Sequence, residues 1–318
     1  MTNSPWPAGL LTALVTPLHD DEIGVAALKP LVDRQIEAGV AGLVVAGGTG
    51  EFGALTVQER QLLTTEAVAA VAGRVPVVVQ TGALTTRDVV TLSRHAQEAG
   101  ATNLMVASPF GETINWAERT RFYVTVSAAV SIPIMVYNTP SAGLLTLARI
   151  QELCELPNIT AVKDSSGSPE LMGDLVEWAA VSGAAVYVGL DSLMYDAFGV
   201  GARGAVFGAA NVIPEPLVAV ARSLQAHGQN EQARALWSHL RPFLRFMEVS
   251  PNYMSLCKSG LNLQGLGVGE VRAPYLMSGE DEVKELARRL GELREAFSAS
   301  PLSEGFAPLP AVGLSPVR

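Results

Sequence analysis

Eight short apolar runs, rich in β-branched residues, recur between positions 10 and 210, and each is followed by a stretch with helical spacing. They are LLTALV (10–15), GLVVAG (42–47), PVVVQT (76–81), NLMVAS (103–108), IPIMVY (132–137), ITAVKD (159–164), AVYVGL (185–190) and GAVFGA (204–209). After the first run, Leu28, Leu31, Val32 and Ile36 fall on one helical face, and Thr56 to Glu59 has the form of a capping box. Further helices are expected from near Thr85 and over 116–129. Internal echoes repeat the unit: EAGVAGLVVAGG (37–48), EAGATNLMVASP (98–109) and VGARGAVFGAA (200–210) each place a helix-ending glycine just before a strand. Eight such units predict an α/β fold, a closed (β/α)8 TIM barrel, with its core over residues 1–213. An open doubly wound sheet is the alternative, but the glycine-rich turn after the second run is not GxGxxG.

Past residue 213 the pattern is purely helical, over 214–227, 229–249, 253–261 and 280–297. Residues 214–298 therefore read as the last barrel helix plus an appended C-terminal helical layer. The segment 299–318 has four prolines and no periodicity, which predicts a loose tail or an arm over a neighbour.

Composition narrows the function. A 48% hydrophobic, 17% charged chain can bury a large core. The net charge of −9, with no run of Lys or Arg, argues against a nucleic-acid partner or an anionic membrane surface. Small acidic ligands stay possible, because backbone amides can hold an anion locally. No 18-residue uncharged apolar stretch and no basic leader region occur, so no membrane contact and a cytoplasmic location are expected. Cys154 and Cys257 stand far apart, and His19, His95, His227 and His239 form no pair at ligand spacing, so no metal is expected.

In a barrel of this type, the C-terminal strand ends and the loops after them carry chemistry. Those positions hold Thr16, the loop Gly47 to Glu51, Ser108, Tyr137, Lys163 and the loop Gly189 to Ser192. Only four of the 22 basic residues are lysines (Lys29, Lys163, Lys258 and Lys284), and Lys163 ends an apolar strand. An amine at such a mouth is poorly solvated and can attack a ketone to give a Schiff base. A structural role competes, in which Lys163 snorkels to solvent or pairs with Asp164, although adjacent strand residues face opposite ways. Tyr137 ends the preceding strand, 26 residues earlier, where its hydroxyl could move protons for the imine or be a satisfied buried phenol. GGTGE (47–51) offers backbone amides and the Thr49 hydroxyl to a carboxylate, or serves only as a tight turn. A structural role is expected for Glu51.

Taken together, ALVTPL (13–18), GGTGEFGALTVQER (47–60), YNTP (137–140), AVKDSSG (161–167) and GARGAVFGAANVIP (201–214) resemble the dihydrodipicolinate synthase / N-acetylneuraminate lyase family of Schiff-base-forming barrel enzymes. The resemblance runs over nearly the whole chain. It implies that Lys163 forms an imine with pyruvate or another 2-oxo acid, and that Tyr137 is the acid/base. It further implies that Gly48 and Thr49 hold the substrate carboxylate and that Val206, Phe207 and Gly208 line the site. No metal or organic cofactor is implied, and a homo-oligomer, tetramer or dimer, is. Three departures from the synthase pattern bear on the substrate. Gly48 stands where the first of two threonines is usual, Phe110-Gly111 replaces a tyrosine pair, and Ala142 replaces an arginine that binds the second substrate's carboxylate. GGTGEF instead resembles the loop of 5-dehydro-4-deoxyglucarate dehydratases, and KDSSG suits 2-keto-3-deoxy sugar acid and 4-hydroxy-2-oxoglutarate aldolases. The expected function is thus a lyase acting on a keto-deoxy sugar acid or related substrate by aldol cleavage, condensation or dehydration. The alternatives are 4-hydroxy-tetrahydrodipicolinate synthesis from pyruvate and aspartate semialdehyde, and a non-catalytic barrel that binds a 2-oxo acid.

Overall fold

The computed structural model describes residues 4–313 and contains the expected barrel. Its strands are β1 (Gly9–Ala13), β2 (Gly42–Val45), β3 (Val77–Gln80), β4 (Asn103–Ala107), β5 (Ile134–Asn138), β6 (Ile159–Asp164), β7 (Ala185–Val188) and β8 (Gly204–Phe207). All pair in parallel with their neighbours in sequence, and β1 closes the ring by pairing with both β2 and β8. Each strand coincides with one of the eight apolar runs, to within two residues at either end. A two-stranded ribbon, Leu18–His19 with Glu22–Ile23, precedes the first helix.

The helices between the strands are α1 (Val25–Glu37), α2 (Val57–Val71), α3 (Thr86–Ala99), α4 (Trp116–Ala129), α5 (Leu147–Leu153), α6 (Pro169–Ser182) and α7 (Met194–Val200). The local signals for their starts hold. Thr56 and Glu59 cap α2 reciprocally, Thr85 accepts from the Asp88 amide to open α3, and Asn115 with Glu118 boxes α4. Pro169 sits in the first turn of α6, where its missing N–H costs nothing.

Strand alternation splits the core in two. Leu11, Ala13, Val44, Val78, Met105, Met135, Ala161, Ala185, Tyr187 and Val206 fill the barrel, while the opposite strand faces pack on the helices. Trp6 seals the N-terminal end: it is 1% exposed, its indole N–H donates to Thr160 Oγ1 at 2.8 Å, and its carbonyl accepts from Arg203. Chemistry is thereby left to the C-terminal mouth.

α8 (Pro214–His227) completes the barrel, and α9 (Glu231–Val249), α10 (Tyr253–Leu263) and α11 (Glu280–Ser298) form the appended layer. The last described segment is not loose. Phe306 packs edge-on against Phe297, Leu309 is buried, and the Gly313 amide donates to the Leu263 carbonyl. Apolar residues interleaved with the prolines dock it on its own chain, a signal that periodicity does not report. No helix among the described residues is long and apolar enough to cross a membrane.

Candidate active site

The C-terminal mouth of the barrel opens into a cavity of about 540 Å³. Lys163 reaches it from β6 and Tyr137 from β5, and the two are direct register partners. The Lys163 ammonium lies over the Tyr137 ring, 4.3 Å from its centre, and Lys163 is only 6% exposed. Burial works against ionising the Tyr137 phenol. The Lys163 charge and the nearby Ser165 and Thr139 hydroxyls outweigh it and hold the group below its ordinary range. Asp164 faces the other way, accepting from Asn138 Nδ2 at 2.6 Å and from the Ser166 hydroxyl. It does not neutralise Lys163. Gly189 makes room for the lysine: a Cβ there would lie 2.7 Å from Lys163 Cε and 2.0 Å from Ser165 Oγ.

Across the mouth, the Gly47–Glu51 loop leaves β2. Ala46 and Glu51 bracket it with positive φ of 54° and 58°, conformations that non-glycine residues keep only when their surroundings enforce them. Three contacts do so. Glu51 is ion-paired with Lys258 at 2.6 Å with both side chains fully buried, it accepts from the Arg272 amide, and Thr16 Oγ1 donates to the Gly50 carbonyl at 2.7 Å. The Gly48 and Thr49 amides make no hydrogen bond among the described residues, and both residues line the cavity. They are unused N–H donors on a braced turn, as an incoming carboxylate requires. Thr16 serves the loop and not the cavity, and the structural role expected for Glu51 is the one it has.

Of the segment 206–208, Val206 and Gly208 line the cavity but Phe207 does not. Phe207 is a correction to the sequence expectation. It lies between two inward-facing residues, so it points out into the barrel–helix core. Ser108 also misses the cavity and sits 3.4 Å from the Tyr123 hydroxyl.

The remaining wall contains Asp191, from the loop after β7 already marked by the sequence, and three residues with no clear sequence signal: Glu248 from α9, and Tyr253 and Met254 from α10. Tyr253 donates its hydroxyl to Asp191 Oδ2, and the Ala209 amide donates to both side chains. Burial, with the Glu248 charge, pushes the Asp191 carboxyl up to about 7 despite these bonds and Lys163. Glu248 accepts from the Ser192 amide at 2.9 Å. Phe52 and Phe110, packed edge-to-face, and Tyr275 form the rim. Among the described residues lining the cavity, Lys163 is the only cation. Arg119 donates to the carbonyls of Ala142 and Gly143 and is not among the residues lining the cavity.

Comparison with known proteins converges on one family. A model of the dihydrodipicolinate synthetase family matches residues 6–293. The 4-hydroxy-tetrahydrodipicolinate synthase 1 of Halalkalibacterium halodurans is 32% identical over 280 residues, covering 87% of this chain and 94% of that protein. Among solved structures, the 4-hydroxy-tetrahydrodipicolinate synthase of Methylacidiphilum fumariolicum superposes with a TM-score of 0.88 at 27% identity, covering 94% of this chain and 99% of that one. A prophage protein of the dihydrodipicolinic acid synthase family from E. coli K12, solved in complex with pyruvate, gives 0.86 at 26% identity, covering 90% and 98%.

Proposed function

The chain belongs to the dihydrodipicolinate synthetase family, and on that premise we propose that it is a class I lyase that binds a 2-oxo acid as a Schiff base on Lys163. The observation that carries the reading is the placement of Lys163. It is a nearly buried amine, free of a carboxylate partner among the described residues, held against the Tyr137 ring in the cavity at the barrel mouth. In this reading the Gly48 and Thr49 amides, with the Thr49 hydroxyl, hold the substrate carboxylate and fix its C2 carbonyl for attack by the amine. Val206 and Gly208 form the floor beside it. Tyr137, its phenol held below the ordinary range, shuttles protons to and from the carbinolamine. The protonated imine then withdraws electrons, so that charge developing at C3 is stored as an enamine.

For the substrate, we propose a hydroxylated 2-oxo acid of the keto-deoxy sugar acid type, cleaved, condensed or dehydrated. With Lys163 committed to the imine, the rest of the cavity carries Asp191 and Glu248 and, among the described residues, no second cation to meet another carboxylate. The names of the curated relatives favour a second reading, condensation of pyruvate with aspartate semialdehyde. Ala142 and Gly111 weigh against it. The proposal includes a cytoplasmic homotetramer or dimer: Cys154 and Cys257 are free thiols, which suits a reducing compartment, and the exposed Leu84 and Leu144 suit a covered face.

Borohydride reduction in the presence of pyruvate, followed by peptide mass mapping, tests the chemistry. The expected result is one adduct on Lys163, and no adduct with pyruvate or longer 2-oxo acids overturns the reading. A turnover comparison then separates the substrates: efficient use of aspartate semialdehyde overturns the sugar-acid preference.

A further inference from the structure

At the ends of β5 and β6, one residue on each strand faces away from the cavity. Asn138 separates Tyr137 from Thr139, and Asp164 separates Lys163 from Ser165. The two are register partners, one step beyond the Tyr137–Lys163 pair. They are 0% and 3% exposed, and Asn138 Nδ2 donates to Asp164 Oδ1 at 2.6 Å. Each spends its other oxygen on the loop that leaves its strand. Asn138 Oδ1 accepts from the Leu145 amide at 2.8 Å and folds segment 139–145 back on the strand end. Asp164 Oδ2 accepts from the Ser166 hydroxyl at 2.8 Å. The two loop starts are also tied to each other, since the Ser165 amide donates to the Asn138 carbonyl at 2.9 Å.

Each loop delivers one hydroxyl to the site. Burial works to keep the Tyr137 phenol protonated, whereas the Lys163 charge and the Ser165 and Thr139 hydroxyls favour its ionised form. Ser165 Oγ has no other hydrogen-bond partner among the described residues, and Thr139 Oγ1 reaches only the Ser141 hydroxyl, at 3.3 Å. Ser165 Oγ is beside the lysine as well: a Cβ added at Gly189 would abut both it and Lys163 Cε. Neither Thr139 nor Ser165 lies within a strand, so the barrel ladder alone does not fix their hydroxyls.

We infer that Asn138 and Asp164 are positioning residues for the reaction at Lys163: their buried bond locks together the two loops that aim the Thr139 and Ser165 hydroxyls at the Tyr137 phenol. This rests on the reading of Tyr137 as the proton carrier for the imine and adds the device that readies it. A phenol that both gives and takes a proton works best against donors already in place, because reorienting them during the reaction would raise the barrier. The clamp lies behind the strands, where substrate does not reach, so it stays set through binding, imine formation and release. Asp164 acts here as a hydrogen-bond acceptor and not through its charge. A neutral amide that still accepts from Asn138 Nδ2 would do the same work.

Ultraviolet titration of the phenolate tests the clamp without any substrate. Each curve is taken minus that of the same protein carrying Tyr137→Phe, which isolates the Tyr137 ionisation. Asp164→Ala and Asn138→Ala should each move it upward by about one pH unit, the worth of a hydrogen bond to a charged group. Both should also slow borohydride trapping of pyruvate at least about tenfold. Asp164→Asn should titrate and trap like the native enzyme. Ser165→Ala and Thr139→Val remove the delivered hydroxyls with the clamp intact and should raise the ionisation too. Lys163, Arg119 against the 139–145 loop, and Glu51, Asp191 and Glu248 around the cavity are the same in every variant, so a shift reports the hydroxyls. A clamp variant that melts earlier but ionises at the native pH makes the pair purely structural and overturns the inference. A shift in Asp164→Asn equal to that in Asp164→Ala overturns it in favour of charge. An ionisation unmoved in both hydroxyl variants overturns it even where the clamp variants fail to fold. Absence of any adduct with pyruvate overturns instead the assignment of Lys163.

Discussion

The Lys163 ammonium and the Tyr137 ring are stacked at 4.3 Å, with their backbones in register on adjacent parallel strands. One substitution separates what the contact does mechanically from what the phenol does chemically. Tyr137→Phe keeps the ring under the amine and deletes the proton carrier. Imine formation, followed by borohydride trapping under single-turnover conditions, should slow by about 10²–10⁴-fold, the usual worth of a positioned acid/base, with the fold unchanged. Lys163→Arg should abolish the adduct altogether, because a guanidinium does not lose its proton to become a nucleophile. A Tyr137→Phe enzyme that is trapped at the native rate would remove Tyr137 from the proton path.

Two glycines of the mouth should respond in opposite ways. At Gly189 a methyl group meets Ser165 Oγ at 2.0 Å, Lys163 Cε at 2.7 Å and the Asp164 carbonyl at 3.1 Å, so Gly189→Ala must displace the lysine. Trapping by pyruvate should fall at least about tenfold, since small misplacements of reacting groups carry large rate penalties. At Gly48 nothing lies within 4 Å of an added Cβ. Gly48→Thr should therefore fold with a stability change within about 0.5 kcal/mol and keep its pyruvate adduct. Thermal melting and trapping of the two variants side by side give the comparison.

The barrel was legible because its cause is local. Each unit carries an apolar run, a helix start and a glycine stop, and parallel strands buried on both faces leave that pattern uninterrupted. Lys163 and Tyr137 were legible for the same reason, since both end runs whose order places them side by side. Phe207 was misjudged because a motif is contiguous whereas a strand alternates. Tyr253 and Glu248 had no signal at all. They reach the cavity through the docking of the C-terminal helical layer, and no spacing in the sequence records which helix turn meets the loop after β7. Leu309 shows the same limit at the other end of the scale, where docking of a proline-rich segment depends on a few apolar contacts with no period.

Asp191 gives the protein a pH signature. Burial and the Glu248 charge raise its carboxyl to about 7, against the opposing influence of Tyr253, the Ala209 amide and Lys163. Cys257 also lies close to this group. The folded chain therefore holds a proton that the unfolded chain releases near pH ~4, the ordinary carboxyl value. The stability that Asp191 lends is complete below about pH 4, declines as the pH rises to about 7 and is lost above it. Melting curves between about pH 4 and 8 should show Asp191→Asn gaining on the native protein as the pH increases, with the difference levelling off past about 7. A difference that is constant across this window would place the carboxyl at its ordinary value.

Lys258 is the other buried lysine, and its work is structural. Burial lowers its affinity for a proton, yet the Glu51 carboxylate at 2.6 Å and the Glu270 carbonyl at 2.6 Å retain the charge. The pair holds Glu51 in its left-handed conformation at the end of the Gly47–Glu51 turn. Removing one partner leaves the other charge buried alone. Lys258→Met should thus destabilise the protein by about 3–5 kcal/mol. It should also raise the pyruvate concentration needed for trapping on Lys163, because the turn carrying the Gly48 and Thr49 amides loses its brace. Pairing Lys258→Met with Glu51→Gln removes both charges and should recover much of the stability, as buried ion pairs are often no better than neutral packing. It should not recover pyruvate affinity to the same extent, since the neutral pair no longer enforces the strained turn. Equal recovery of both properties would separate the ion pair from the binding of the 2-oxo acid.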